Sequence, residues 1–177
     1  MLTILGKAAS INVRKVLWTC DELGLPFTRE DWGAGFQSTS NPAFLARNPN
    51  AMVPPLAQQA AAVGQWMDWQ ATEFNNAWRY AFMALVRRSP AHQDRAQIDA
   101  SVANWNRHVG ILEQHLAQGS AYVAGDRFTL ADIVIGLSLG RWKLAPIVRP
   151  DYPAVDAYCA RLAERGGFQT YAGSAFP

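Results

Sequence analysis

The chain has 177 residues, half of them apolar and 17% charged, so at roughly 150 residues per domain it can build one compact body or two small halves, and intrinsic disorder is excluded. Sixteen basic against fourteen acidic residues leave +2. The basic side chains are scattered except for Arg87 and Arg88, so no nucleic-acid partner is expected.

In chain order, Leu2 to Leu5 is a short apolar strand, Gly6 to Ala9 turns, and Ser10 is placed to cap a helix carrying Ile11, Val13, Val16, Leu17 and Cys20. Gly24 stops that helix, and Phe27 to Trp32 alternates as a half-buried strand, which completes a βαβ unit if the two strands run parallel. Gly33 to Ser40 is loop, and Asn41 with Pro42 opens a short helix to Ala46. From Pro55 apolar residues recur every three or four positions to Leu85, giving a long helix that ends at Ser89 and Pro90. A second helix spans about Gln93 to Gln118 beside the first. Thr129 and Asp132 form a capping box for a third, flanked by Phe128 and Ile133 as a hydrophobic staple, and a last helix runs from about Pro153 to Arg165.

No uncharged apolar run approaches the ~20 residues of a membrane span, and Met1 to Lys7 lacks a basic-then-apolar leader pattern, so a cytoplasmic protein away from membranes is expected. Cys20 and Cys159 form no CxxC, which fits reduced thiols, and no set of metal ligands stands out. Gly136-Leu137-Ser138-Leu139-Gly140 has the spelling of a nucleophile elbow, but it falls inside a helix and every histidine precedes it; small residues for close helix packing explain it better. His108 and His115 are seven apart, the wrong spacing for a zinc helix, and read as solvated or capping side chains. Ser10 carries more chemistry. A hydroxyl directly after a strand, at a helix N-terminus and beside Asn12, faces unpaired N–H groups and a positive helix end, a corner that favours a thiolate; the alternative is an ordinary cap.

Three segments taken together, Ser10-Ile11-Asn12-Val13-Arg14-Lys15-Val16, Asn48-Pro49-Asn50-Ala51-Met52-Val53-Pro54 and Phe128-Thr129-Leu130-Ala131-Asp132-Ile133, resemble the cytosolic glutathione S-transferase family in its bacterial, serine/threonine-type, theta-, beta- and nu-like branch. Trp66-Met67-Asp68-Trp69-Gln70 extends the resemblance into the helical half. The resemblance implies an α-rich α/β architecture: a thioredoxin-like glutathione-binding domain over residues 1–54, an all-helical C-terminal domain over 55–177, glutathione as co-substrate without a metal, and a homodimer. Carried over by position, Ser10 and Asn12 hydrogen-bond the thiolate. Pro54 is the cis-proline that turns the Val53 backbone toward the peptide. Gln37 touches its glycine end, or is simply an exposed loop glutamine. Trp32, Phe36, Tyr80 and Trp142 are candidates for the wall around a small hydrophobic electrophile.

The chain departs from the family after Pro54. A relative continues with an antiparallel strand pair, a Glu-Ser pair that grips the γ-glutamyl group, another helix and a linker, about 35 residues in all. Here Pro55-Leu56-Ala57-Gln58-Gln59 follows at once. A two-stranded parallel remnant would bare backbone edges and an apolar face, so the expectation is that the stretch exists and is missing only from the sequence as read. If Pro54 and Pro55 are truly bonded, glutathione is expected to bind more weakly. A non-catalytic, transferase-like binding or assembly module then becomes the stronger alternative to an enzyme that conjugates, or reduces with, glutathione.

Overall fold

The computed structural model describes residues 2–45 and 61–173. Contacts divide the chain into Met1–Gln59, joined by Phe176–Pro177, and Ala60–Ala175.

In the first unit β1 (Leu2–Leu5), α1 (Ile11–Glu22) and β2 (Phe27–Glu30) form the expected βαβ, with parallel register from Leu2↔Phe27 to Leu5↔Glu30. β2 stops two residues early, and Trp32 instead makes an isolated bridge to Gln37. The short helix α2 (Pro42–Leu45) is capped as read, the Asn41 Oδ1 accepting the Ala43 N–H at 2.9 Å. Gly6 is required where it stands: its φ is +150°, and a Cβ there would lie 2.4 Å from Val13 Cγ2 on α1.

The Gly6 N–H donates to the Glu30 carbonyl at 2.8 Å. Alternation therefore turns the backbone groups of residues 2, 4 and 6 toward β2 and those of Thr3 and Leu5 away from it, where no strand among the described residues meets them. Leu2, Leu25, Leu23 at 66% and Phe36 at 56% are also exposed in this unit. This is the bare remnant that the sequence argument took as a reason to expect more chain. In the sequence of 177 residues Pro54 is followed directly by Pro55. The two prolines themselves lie outside the described residues.

The second unit is helical. The single helix expected over Pro55 to Arg88 is, in its described part, α3 (Ala61–Trp69), a π-helical turn (Gln70–Phe74) and α4 (Asn75–Leu85). In the wider turn the buried Gln70 amide donates to Ser138 Oγ at 2.9 Å and to Asn75 Oδ1 at 3.0 Å. The next helix, α5 (Arg95–Leu116), is capped by Asp94 and packs along α4. A buried Ser101 stitches the pair, donating to the Ala77 carbonyl at 2.8 Å and accepting from the Ala81 N–H at 3.1 Å. Every residue from Ala131 to Gly140 of α6 (Leu130–Leu144) is buried. Ser138 lies in mid-helix, and a Cβ on Gly140 would fall 2.4 Å from the Ala172 carbonyl oxygen, so the Gly-x-Ser-x-Gly spelling is a packing feature. The last two helices are α7 (Pro153–Ala163), opened by its proline, and α8 (Gly166–Tyr171), which was not anticipated.

Asp132 is fully buried and accepts from Val123 N–H at 3.0 Å, Thr129 N–H at 2.7 Å, Thr129 Oγ1 at 3.0 Å and Tyr158 Oη at 2.8 Å. Burial first, and the adjacent carboxylate second, push the Tyr158 phenol well above its usual range, so it remains a donor. Asp132→Ala strands these donors in the core and is expected to cost about 3–5 kcal/mol, to be read from urea denaturation midpoints at unchanged slope.

Candidate functional site

Ser10 follows β1 and the turn Gly6 to Ala9, and stands at the N-cap of α1 in extended conformation (φ −75°, ψ 125°). Its backbone does what a cap requires, the carbonyl accepting the Arg14 N–H at 2.9 Å, but its hydroxyl makes no capping bond. The first turn of α1 carries no acidic residue. The positive end of this twelve-residue helix thus has neither a side-chain cap from Ser10 nor a first-turn carboxylate beside a half-buried hydroxyl. Asn12 is exposed on the same first turn. An anion set against this corner meets N–H groups, a hydroxyl and the helix dipole together, the combination that stabilises a thiolate over a thiol.

The turn itself is anchored by cations. Arg14 Nε donates to the Ala8 carbonyl at 2.9 Å, Arg29 from β2 donates to the Gly6 carbonyl at 3.0 Å, and Lys7 Nζ reaches the Ala34 carbonyl at 3.2 Å. Arg29 is also paired with Asp31. Sequence reasoning missed these contacts because each runs from a charged side chain to a backbone carbonyl, which leaves no residue-type signature.

The other candidates separate. Gln37 presents an exposed side chain, while its carbonyl accepts the Gly33 N–H at 2.7 Å. Val53 and Pro54 lie outside the described residues. Phe36 is exposed. Trp32 is 5% exposed, lies tilted against Phe44 with centroids 5.1 Å apart and donates its indole N–H to Glu30. Trp142, 3% exposed, is stacked on Tyr152, donates to Asn106 Oδ1 at 2.8 Å and borders a small cleft with Lys143, Arg149, Pro150 and Asp156. Tyr80 is half-buried against the edge of His92, and its hydroxyl accepts the Asp94 N–H at 3.3 Å. Tyr80 and Trp142 thus have different neighbours among the described residues. His108 is a core residue rather than a solvated one: its Nδ1 bonds the Asn104 carbonyl at 2.8 Å, and its ring lies nearly parallel to Phe74. No cluster of potential metal ligands occurs among the described residues, and no helix among them is long and apolar enough to cross a membrane.

Comparison with known proteins adds to this geometry. The model for the glutathione S-transferase C-terminal domain matches residues 95–161. Glutathione S-transferase GstB of Escherichia coli K12 is 34% identical over 167 aligned positions, covering 76% of this chain and 80% of the relative. The chain belongs to the glutathione S-transferase family. A theta-class glutathione S-transferase from Xanthomonas axonopodis pv. citri, solved with glutathione bound, superposes with a TM-score of 0.86 at 31% identity over 99% of this chain and 98% of that one. Glutathione S-transferase 3 of Zea mays aligns at 26% identity over 205 positions, covering 95% of this chain and 91% of the relative. That span exceeds the 177 residues available, so the match holds gaps where this member of the family is the shorter.

Both cysteines are buried and unpaired. Burial pushes the Cys159 thiol up to about 11 and raises that of Cys20 as well, burial being the leading cause in both and Asp21 a second one for Cys20. Neither is a nucleophile at neutral pH. A thiol-disulfide reagent at pH 8 is expected to label neither in the folded protein and both after denaturant is added, followed as released chromophore.

Proposed function

We propose that this protein is a glutathione transferase in which Ser10, with Asn12 and the N-terminal end of α1, holds the glutathione thiol as thiolate for attack on a small hydrophobic electrophile. Residues 1–54 are the glutathione-binding part and 55–177 the helical part. The observation that carries the reading is the Ser10 hydroxyl: it stands at a helix N-cap without a capping bond, over a first turn free of carboxylates. A plain cap would spend that oxygen on an N–H of the helix. A reference thiol with pKa ~8.5 is mostly protonated at neutral pH, so each unit of depression, about 1.4 kcal/mol, raises the reactive fraction several-fold. The remaining acceleration comes from holding the two reactants together. The transferase names among its relatives favour this reading over a non-catalytic module.

Ser10→Ala is expected to lower kcat by roughly 10- to 100-fold with a smaller change in KM for glutathione, because a charge-assisted hydrogen bond worth ~1.5–3 kcal/mol acts mainly on the thiolate. Asn12→Ala shares part of the effect. Steady-state kinetics with a chromogenic electrophile at neutral pH check both, and wild-type rates in the two variants would return Ser10 to the role of a cap.

Glutathione binding is expected to be weaker by several kcal/mol than in a family member that keeps the Glu-Ser pair, since the charged γ-glutamyl end loses its partners. Calorimetric titration measures it, and tight binding would place the grip on other residues. Glutathione and the electrophile are the small-molecule partners, and the protein acts in the cytoplasm as a homodimer. Of the aromatic stripe read along residues 55–88, Phe74, Trp78 and Phe82 are spent on the core, while Trp66 and Trp69 remain half-exposed for a partner. Light scattering at micromolar concentration is expected to give twice the chain mass.

A further inference from the structure

The connection between α6 and α7 is pinned to one residue of α5. Asn106 accepts the Trp142 indole N–H on Oδ1 at 2.8 Å, donates from Nδ2 to the Val148 carbonyl at 3.0 Å, and accepts the Tyr152 hydroxyl on its own carbonyl at 3.0 Å. The last turn of α6 and residues 148–152 are thereby held against the same helix. Arg149 stands between the two tied positions and turns back over the end of α6. Its Nη1 donates to the Trp142 carbonyl at 3.2 Å and to the Ala145 carbonyl at 2.7 Å, and its guanidinium carbon lies 5.7 Å from the centre of a Trp142 ring. A planar guanidinium bonded twice at one nitrogen and laid beside an indole has its orientation set in advance.

Capping α6 in this way uses only Nη1, and Nε and Nη2 have no partner among the described residues. The side chain that carries these unspent donors lines a cleft of about 240 Å³ together with Trp142, Lys143, Pro150 and Asp156. Lys143 gives one N–H to Asp156 Oδ1 at 2.6 Å, which leaves the rest of its ammonium group available. The lining thus sets two cations against one carboxylate. A helix C-terminus repels anions through its bare carbonyls, but two of those at the end of α6 are already covered by Arg149. A guanidinium fork fixed in advance and an ammonium on the same small cleft suit the oxygens of an anion. A structural cap needs neither the cleft nor the second cation.

We propose that the cleft between the end of α6 and the start of α7 binds a small oxyanion, the phosphate or carboxylate group of a low-molecular-weight ligand, with Arg149 and Lys143 as its donors and Asp156 as the group that limits its affinity. The site lies wholly within the helical unit and stands apart from the thiolate reading. Its test is calorimetric titration of the full chain with inorganic phosphate and, separately, with acetate, in chloride at constant ionic strength. Phosphate, which carries more charge, is expected to bind with a Kd on the order of 1 mM and acetate about tenfold more weakly; the reverse order assigns the cleft to carboxylates. Arg149→Gln and Lys143→Gln are each expected to weaken the tighter anion about tenfold, because each removes a charge-assisted donor. Asp156→Asn is expected to tighten it about threefold, a change of sign that a merely structural role would not produce. Ser10→Ala leaves the affinity within about twofold, which separates this cleft from the start of α1. If Arg149→Gln does not fold, the Lys143 and Asp156 variants carry the test. The proposal is overturned by the absence of saturable heat from either anion up to about 50 mM, by unchanged binding in Lys143→Gln, by weaker binding in Asp156→Asn, or by loss of binding in Ser10→Ala.

Discussion

The helical unit turns on one buried carboxylate. Asp132 collects the Val123 N–H from the loop before α6, the N–H and hydroxyl of Thr129 at the start of α6, and the Tyr158 phenol from α7. A charge with no exposure is tolerable only when its lone pairs are met, and each partner comes from a different stretch of chain. Satisfying Asp132 therefore fixes where α6 begins and how α7 lies against it. The arrangement is architectural and does no chemistry.

In the first unit the same physical rule is left unmet at the start of α1. The first turn of α1 has neither a capping oxygen nor a carboxylate, although a serine stands at the position where both would be served. The orphan N–H groups of such an end are met by side chains, by water or by a ligand. The backbone carbonyls of Ala8 and Gly6 in the preceding turn are held by Arg14 and Arg29, while the Ser10 hydroxyl makes no capping bond.

Local signals were the legible ones. The Thr129–Asp132 box, Asn41 before Pro42, the proline opening α7 and the period of α5 each act within a few residues, and each element formed as read. What stayed hidden depends on tertiary neighbours. Trp32 and Trp142 look like binding-site aromatics in sequence, but whether a tryptophan lines a pocket or fills a core depends on Phe44, Asn106 and Tyr152. His108 reads as polar and is buried because the Asn104 carbonyl takes its one committed proton-bearing edge and Phe74 covers its face. α8 is six residues with two glycines at its start, too short and too unfavourable in propensity to announce itself. The open side of β1 was legible as a problem of too few strands, and no further strand pairs with it among the described residues.

The total enclosure of α6 has a dynamic meaning. A helix that shows water no face from Ala131 to Gly140 cannot fray sideways, and its small residues bring Ala172 so close at Gly140 that no solvent can slip between. Its amide protons can reach deuterium only when the whole helical unit opens, while the two-stranded sheet, with Thr3 and Leu5 facing outward, can exchange through far smaller excursions. The two-stranded sheet is thus the part most ready to breathe, and the slowest clock is kept in the buried helix α6.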